Sequence, residues 1–277
     1  NPGQWYNDGQ AELQRALQGK PIEAPAKNVI LFIGDGMGIS TVTAARIFEA
    51  QSRGERREEN ALSFEQLPYV ALAKTYATEQ QVGESASTMT ALMTGIKTKS
   101  GLIGLNQQAE RGNCSTAQGK NVETLLEQAE KLGKGTGIVA TSRITHATPA
   151  ATYAHAADRD WESDGDMPAG ERGAGWKDIA RQLIEFPLGN GIDVVFGGGR
   201  TKFLPNTAKD PKDNTVSGER ADGRDLVQEW QKKYPTGVYA WNAQQFSGSD
   251  AAKVERVLGL FAPSHLSYEK DRPQDQD

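Results

Sequence analysis

The sequence is poor in the residues that metal and redox chemistry most often uses: it has one cysteine, Cys114, and three histidines, His146, His155 and His265. A single cysteine allows no internal disulfide and no cysteine-based zinc site. Cys114 itself reads as a small loop residue or a buried thiol, because a nucleophilic cysteine needs a base beside it. Long apolar runs are missing as well; none approaches the roughly 18 residues that a membrane span needs. Positive charge is not in excess. The formal charge is −5 and neither half carries a basic stripe, so there is no electrostatic footprint of a nucleic-acid binder. The first residues, Asn1-Pro2-Gly3-Gln4-Trp5, have neither an initiator methionine nor a signal peptide's apolar core, the look of a processed start compatible with export.

What is present is the composition of a folded protein, 37% apolar and 24% charged over 277 residues, a length that one large α/β domain can reach. Many of the 30 glycines stand where an apolar run gives way to helical composition. Residues 4–19 predict a polar amphipathic helix. Asn28 to Ile33 is a continuous apolar run of the kind buried on both faces in a parallel sheet. It stops at Gly34-Asp35-Gly36-Met37-Gly38, and residues 40–50 then have helix composition. Further strands are expected at Val70 to Tyr76, Gly137 to Thr141 and Ile192 to Phe196. Further helices are expected at 86–95, at 122–132 with Gly133 as the stop, and at 179–184, 226–231 and 251–260. Strands alternating with helices predict an α/β fold, a central, mostly parallel sheet with helices on both faces, in which ligands collect beyond the carboxyl ends of the strands.

Several side chains could carry chemistry. Asp35 lies between two glycines at the end of an expected strand, where it is either a metal ligand or a cap of the following helix. Gly34-x-Gly36-x-Gly38 is not the dinucleotide pattern, and a carboxylate inside a phosphate-cradling turn would repel the phosphate unless a cation lay between them. Ser85 opens an alanine-rich helix, where free N–H groups and the helix dipole favour an anion, although a serine there can equally be a bare N-cap. The stretch Gly83-Glu84-Ser85-Ala86-Ser87 misses the lipase-type elbow by its last residue. His146 and Thr148 lie two residues apart directly after an expected strand, a pair that could face one site or a histidine that is merely structural. Arg159 has the planar fork that grips phosphate oxygens in two places, and a surface salt bridge is its other reading.

In their order, these segments resemble the alkaline phosphatase family. Asn28-Val29-Ile30-Leu31-Phe32-Ile33-Gly34-Asp35-Gly36-Met37-Gly38 is similar to its first strand and metal-ligand loop, and Gly83-Glu84-Ser85-Ala86 with Thr94-Gly95-Ile96-Lys97-Thr98 to its nucleophile segment. Thr141 to Ala150, with Tyr153-Ala154-His155 and Arg159, resembles its magnesium and phosphate-gripping segment, and Asp193 to Arg200 and Leu226 to Trp230 are also family-like.

The resemblance implies a phosphomonoesterase with two zinc ions and one magnesium ion, acting on small phosphomonoesters through a phosphoserine, periplasmic or secreted, and a homodimer. Carried over by position, Ser85 attacks phosphorus, Arg159 holds two phosphate oxygens, and Asp35 binds magnesium and one zinc. Thr148 is then a magnesium ligand and His146 a residue of the third metal site. Glu84 stands where the family usually has aspartate before the serine, and His146 at a position that is aspartate in some members. The family's remaining zinc ligands have no counterpart here, so the chain reads as a single α/β catalytic domain forming the N-terminal portion of a longer enzyme. A phosphodiesterase or other hydrolase of the same superfamily, or a noncatalytic metal- or phosphate-binding fragment, are the competing readings.

Overall fold

A computed structural model describes residues 2–18, 22–55, 60–248, 250 and 253–272, and the backbone divides into two units, Asn1–Lys74 and Thr75–Asp277. Among the described residues the first unit carries the α-helices α1 (Pro2–Gln18) and α2 (Ile39–Ser52) and a 3-10 turn at Ser63–Gln66. Helix α2 starts after Gly38, which holds its N-cap in extended backbone, and ends where Arg53 donates its N–H back to Ala50.

The strand expected at Asn28 to Ile33 does not form, nor does the one at Val70 to Tyr76. Val29 is 84% and Phe32 91% exposed, and Val70 and Leu72 are more exposed still. The reason is physical. An apolar run says that its side chains avoid water, whereas a strand exists only when its N–H and C=O groups meet those of another strand, and no ladder joins either segment among the described residues.

The second unit holds the sheet. In chain order its elements are α3 (Ser85–Thr94), α4 (Cys114–Ala117), α5 (Leu125–Lys131), β1 (Gly137–Arg143), α6 (Ala147–Ala150), α7 (Ala169–Gly173), α8 (Ile179–Ile184), β2 (Val194–Gly198), α9 (Leu226–Lys233), β3 (Val238–Ala240), α10 (Ala243–Ser247) and β4 (Val257–Leu260). The four strands run parallel in the order β1-β2-β4-β3, with Val139 opposite Phe196 and Phe196 opposite Gly259. This is the parallel α/β sheet expected from the alternation of strands and helices. Its membership differs. Residues 251–260 were expected to be helical, yet Val257–Leu260 is the strand between β2 and β3; residues 251 and 252 lie outside the described residues. Val254, Val257 and Leu258 mimic helical spacing, but Gly259 disfavours a helix and permits close approach in the strand, where the rings of Phe261 and Phe196 fill the space a Gly259 side chain would need. Strand β3, only three residues long, had no signal of its own.

Period-two alternation sorts the two sheet faces. Ile138, Val195, Leu258 and Leu260 join Ala86, Met89 and Met93 of α3, Ile179 and Leu183 of α8, and Leu226 and Trp230 of α9 in the main core. On the other face Phe196 meets Phe246 of α10 edge-on, ring centroids 5.1 Å apart, and Phe261 at 5.7 Å. A second cluster gathers Leu102, Leu105, Cys114, Ala157, Trp161 and Met167 beneath the loops around the site.

Candidate active site

Ser85 is the first residue of α3, and the residue before it organises the surroundings. Glu84 is the helix N-cap: its Oε2 accepts from Ala86 N–H and its Oε1 from Ser87 N–H, both at 2.8 Å. Oε1 also accepts from Gly101 N–H at 3.0 Å, and Oε2 receives Arg159 Nη1 at 2.5 Å. Burial opposes ionisation of this carboxyl, but the N–H groups of Gly101, Ser87 and Ala86 outweigh it and hold the carboxyl below its ordinary range. One carboxylate thus ends the helix at Ser85 and anchors the arginine 75 positions later in the chain.

Arg159 is gripped on its other arm by His146, whose Nε2 lies 3.2 Å from Nη2. A guanidinium only donates, so Nε2 accepts and the imidazole proton sits on Nδ1. That nitrogen is buried and has no protein partner. Burial, and then the charge of Arg159, hold His146 below its ordinary pKa, in the neutral form that this bond requires. His146 is also the N-cap position of α6, the short helix that contains Thr148.

Two further residues close this side of the site, both beyond the carboxyl ends of β1 and β4. His265 packs edge-on against His146 with ring centroids 5.3 Å apart, and its Nδ1 accepts Arg143 N–H at 3.1 Å. Glu162 receives the Arg143 fork at 2.6 to 3.1 Å and the Thr145 hydroxyl at 2.5 Å. Neither His265 nor Glu162 stands in a segment that sequence reasoning marked. No local signal marked them: Glu162 lies 19 residues after Arg143 in the chain, and the strand before His265 was expected to be a helix.

Ser85, Arg159, His146 and Thr148 therefore belong to one unit, the first three linked through Glu84 and the Arg159 guanidinium. Asp35 is in the other unit, exposed, in a turn closed by Met37 N–H on Gly34 carbonyl and by Gly36 at φ +67. The N-cap position of α2 is Gly38, which makes no side-chain capping bond. Cys114 is buried, and burial, with the Glu171 carboxylate beside it, pushes its thiol up to about 12. It stays protonated and is a core residue. His155 is taken up by Glu127 and the Gly104 carbonyl.

Asp35 and Thr148 carry the hard oxygen donors that magnesium takes. For zinc the fit is incomplete: among the described residues no group of three or more His, Cys, Asp or Glu side chains could hold a metal ion.

The fold and this arrangement define a class: an α/β protein that sets a helix-opening serine and a doubly held guanidinium at the carboxyl ends of parallel strands, where a tetrahedral anion can be received. Comparison with known proteins narrows it. The family model for alkaline phosphatase matches residues 26–277. The chain is 44% identical over 285 residues to the tissue-nonspecific alkaline phosphatase of Gallus gallus, covering 100% of this chain and 54% of that protein. Among solved structures, the alkaline phosphatase of Thermus thermophilus superposes with a TM-score of 0.59 at 28% identity over 82% of this chain and 38% of that one. A TAB5 alkaline phosphatase variant with magnesium in its M3 site gives 0.56 at 23% identity, over 82% and 52% of the two chains, a likeness of fold. The chain belongs to the alkaline phosphatase family. It spans about half the length of the curated relatives it matches.

Proposed function

We propose that this chain forms part of a metal-dependent phosphomonoesterase in which Ser85 is the nucleophile. The observation that supports the reading best is the Glu84 carboxylate, which caps α3 at Ser85 with both oxygens and holds Arg159 through Oε2. A phosphate monoester dianion would meet the Arg159 guanidinium, which offsets the charge that spreads over the equatorial oxygens during transfer, while the Ala86 and Ser87 N–H groups stay with Glu84. The Ser85 oxygen forms the new bond to phosphorus as the ester P–O bond breaks; the leaving oxygen takes a proton, and water later cleaves the phosphoserine to inorganic phosphate.

A serine hydroxyl is a weak nucleophile at its free pKa, and none of the three histidines bonds Ser85: their contacts go to Arg159, Arg143, Glu127 and Gly104. Zinc, when bound, would supply the ionisation of that hydroxyl, and Asp35, Thr148 and His146 are the residues proposed for the metal sites, with two zinc ions and one magnesium. The contribution of this chain's own groups is to orient: Glu84 and His146 fix the guanidinium from two sides. Small phosphomonoesters as substrates, a homodimer, and a periplasmic or secreted location complete the proposal. No helix among the described residues is long and apolar enough to cross a membrane.

The deciding experiment is trapping with labelled inorganic phosphate at acidic pH, followed by peptide mapping. Label on the peptide containing Ser85, absent in Ser85→Ala, is the expected result. Label retained in the alanine variant would remove Ser85 from the role, and no label at all in the native protein would leave the noncatalytic binding fragment as the better reading.

A further inference from the structure

Arg111 lies outside the short motifs singled out in the sequence, yet it is tied into the support of Arg159 from three directions. Its Nε donates to Asp158 Oδ2 and its Nη2 to Asp158 Oδ1, both at 3.0 Å, and Nη2 also donates to Asp160 Oδ2 at 2.8 Å. Asp158 and Asp160 are the neighbours of Arg159 on either side in the chain. The third direction is Gly101. Its carbonyl accepts Arg159 N–H at 2.9 Å, and its own N–H goes to Glu84. Arg111 lies directly on it: a methyl group placed at Gly101 would come within 2.5 Å of Arg111 Cδ and Nε. Gly101 also has φ +80, so a side chain is disfavoured there twice over.

The Arg111–Asp160 pair is wet, 46% and 73% exposed, and contributes little to folding, while Asp158, 16% exposed, takes the Arg111 fork on both of its oxygens. What a forked guanidinium bound to flanking carboxylates supplies is geometry. A gripping group displaced by about 1 Å can lose two orders of magnitude in effect, so the tolerance at Arg159 is narrow.

We propose that Arg111 is a positioning residue for Arg159, fixing the backbone of residues 158–160 against Gly101 so that the Arg159 guanidinium enters the site between Glu84 and His146. The proposal rests on the reading of Arg159 as the phosphate grip, and its test separates the two. In the full chain, hydrogen exchange at the Arg159 amide and Nε–H is measured by NMR, and inorganic phosphate affinity by calorimetry, for the native protein and for Arg111→Ala, Arg111→Lys and Arg159→Ala. Arg111→Ala should speed exchange at Arg159 and weaken phosphate binding about 10-fold each, while sheet amides such as Val195 keep their protection, which shows that the fold is intact. Arg111→Lys keeps the charge but not the fork and should behave like the alanine variant; a purely electrostatic role would restore it. Native protection of Arg159 in Arg111→Ala overturns the proposal, whatever phosphate does. If exchange changes as expected but Arg159→Ala leaves phosphate affinity untouched, the positioning holds and it is the reading of Arg159 as the phosphate grip that fails.

Discussion

Arg159 Nη1 and Glu84 Oε2 stand 2.5 Å apart, and through that contact the cap of α3 and the arginine proposed to grip phosphate share one carboxylate. Helix start, Ser85 and the guanidinium are thereby coupled. A disturbance of Glu84 is felt at all three.

Glu84→Gln should expose that coupling. The carboxylate accepts from Ala86, Ser87, Gly101 and Arg159, whereas an amide has one oxygen and would turn an NH₂ toward donors. Loss of the cap and of the charged bond is expected to cost about 1–3 kcal/mol in urea denaturation. Phosphate affinity should fall in parallel, because Arg159 loses its anchor. A variant that is destabilised but binds phosphate as the native protein does would confine Glu84 to the capping role.

For Asp35→Asn the expected outcome is loss of bound metal together with activity, since a neutral amide is a much poorer ligand for hard cations than a carboxylate. Elemental analysis of purified protein checks it. Zinc and magnesium contents equal to those of the native protein would take Asp35 out of the metal site.

The His155 and Glu127 pair sets a pH dependence of stability away from the site. Both ring nitrogens of His155 face acceptors, Glu127 Oε1 at 2.9 Å and the Gly104 carbonyl at 2.7 Å. Burial works against the imidazolium, but the Glu127 carboxylate and the Gly104 carbonyl raise the pKa above its ordinary value; Glu127, despite its own burial, is held below its own by His155. A raised histidine contributes stability below the unfolded value of about 6.5 and loses it as pH climbs through the folded value, and a lowered glutamate contributes above about 4.3. The stability gap between native protein and His155→Gln should therefore be widest between those two values and narrow toward pH 9, as urea midpoints across the range will record. A gap that is constant with pH would mean that the histidine is neutral throughout.

Arg200 and Asp210 form an ion pair with both side chains 0% exposed, joined at 2.7 and 2.8 Å, and Arg200 Nη1 also donates to the Leu260 carbonyl at the end of β4. Asp210→Ala leaves that guanidinium buried without its counter-ion and should cost about 3–5 kcal/mol. Adding Arg200→Met should recover most of the loss, since the unpaired charge leaves with it. Calorimetric melting of the single and double variants decides whether the pair or the charge alone governs stability.

Local patterns carried a large part of this protein into view. Helices α8 and α9, the start of α3 at Ser85, and the strands β1 and β2 follow from side chains close in sequence, whose propensities and spacing act before any long-range contact forms. The motifs that resemble the alkaline phosphatase family, around Asp35, Ser85, His146, Thr148 and Arg159, are likewise readable in short segments. What only the tertiary structure decided depends on partners far away in the chain. Val257–Leu260 became a strand because β2 and β3 bracket it with backbone donors and acceptors. Asn28 to Ile33 and Val70 to Tyr76, equally apolar, did not, because no such neighbours meet them among the described residues. The same holds for the site. His265 reaches Arg143 across 122 positions and Arg111 reaches Asp158 across 47, contacts set by how the loops beyond the strands come together in space, a relation that neither composition nor periodicity encodes.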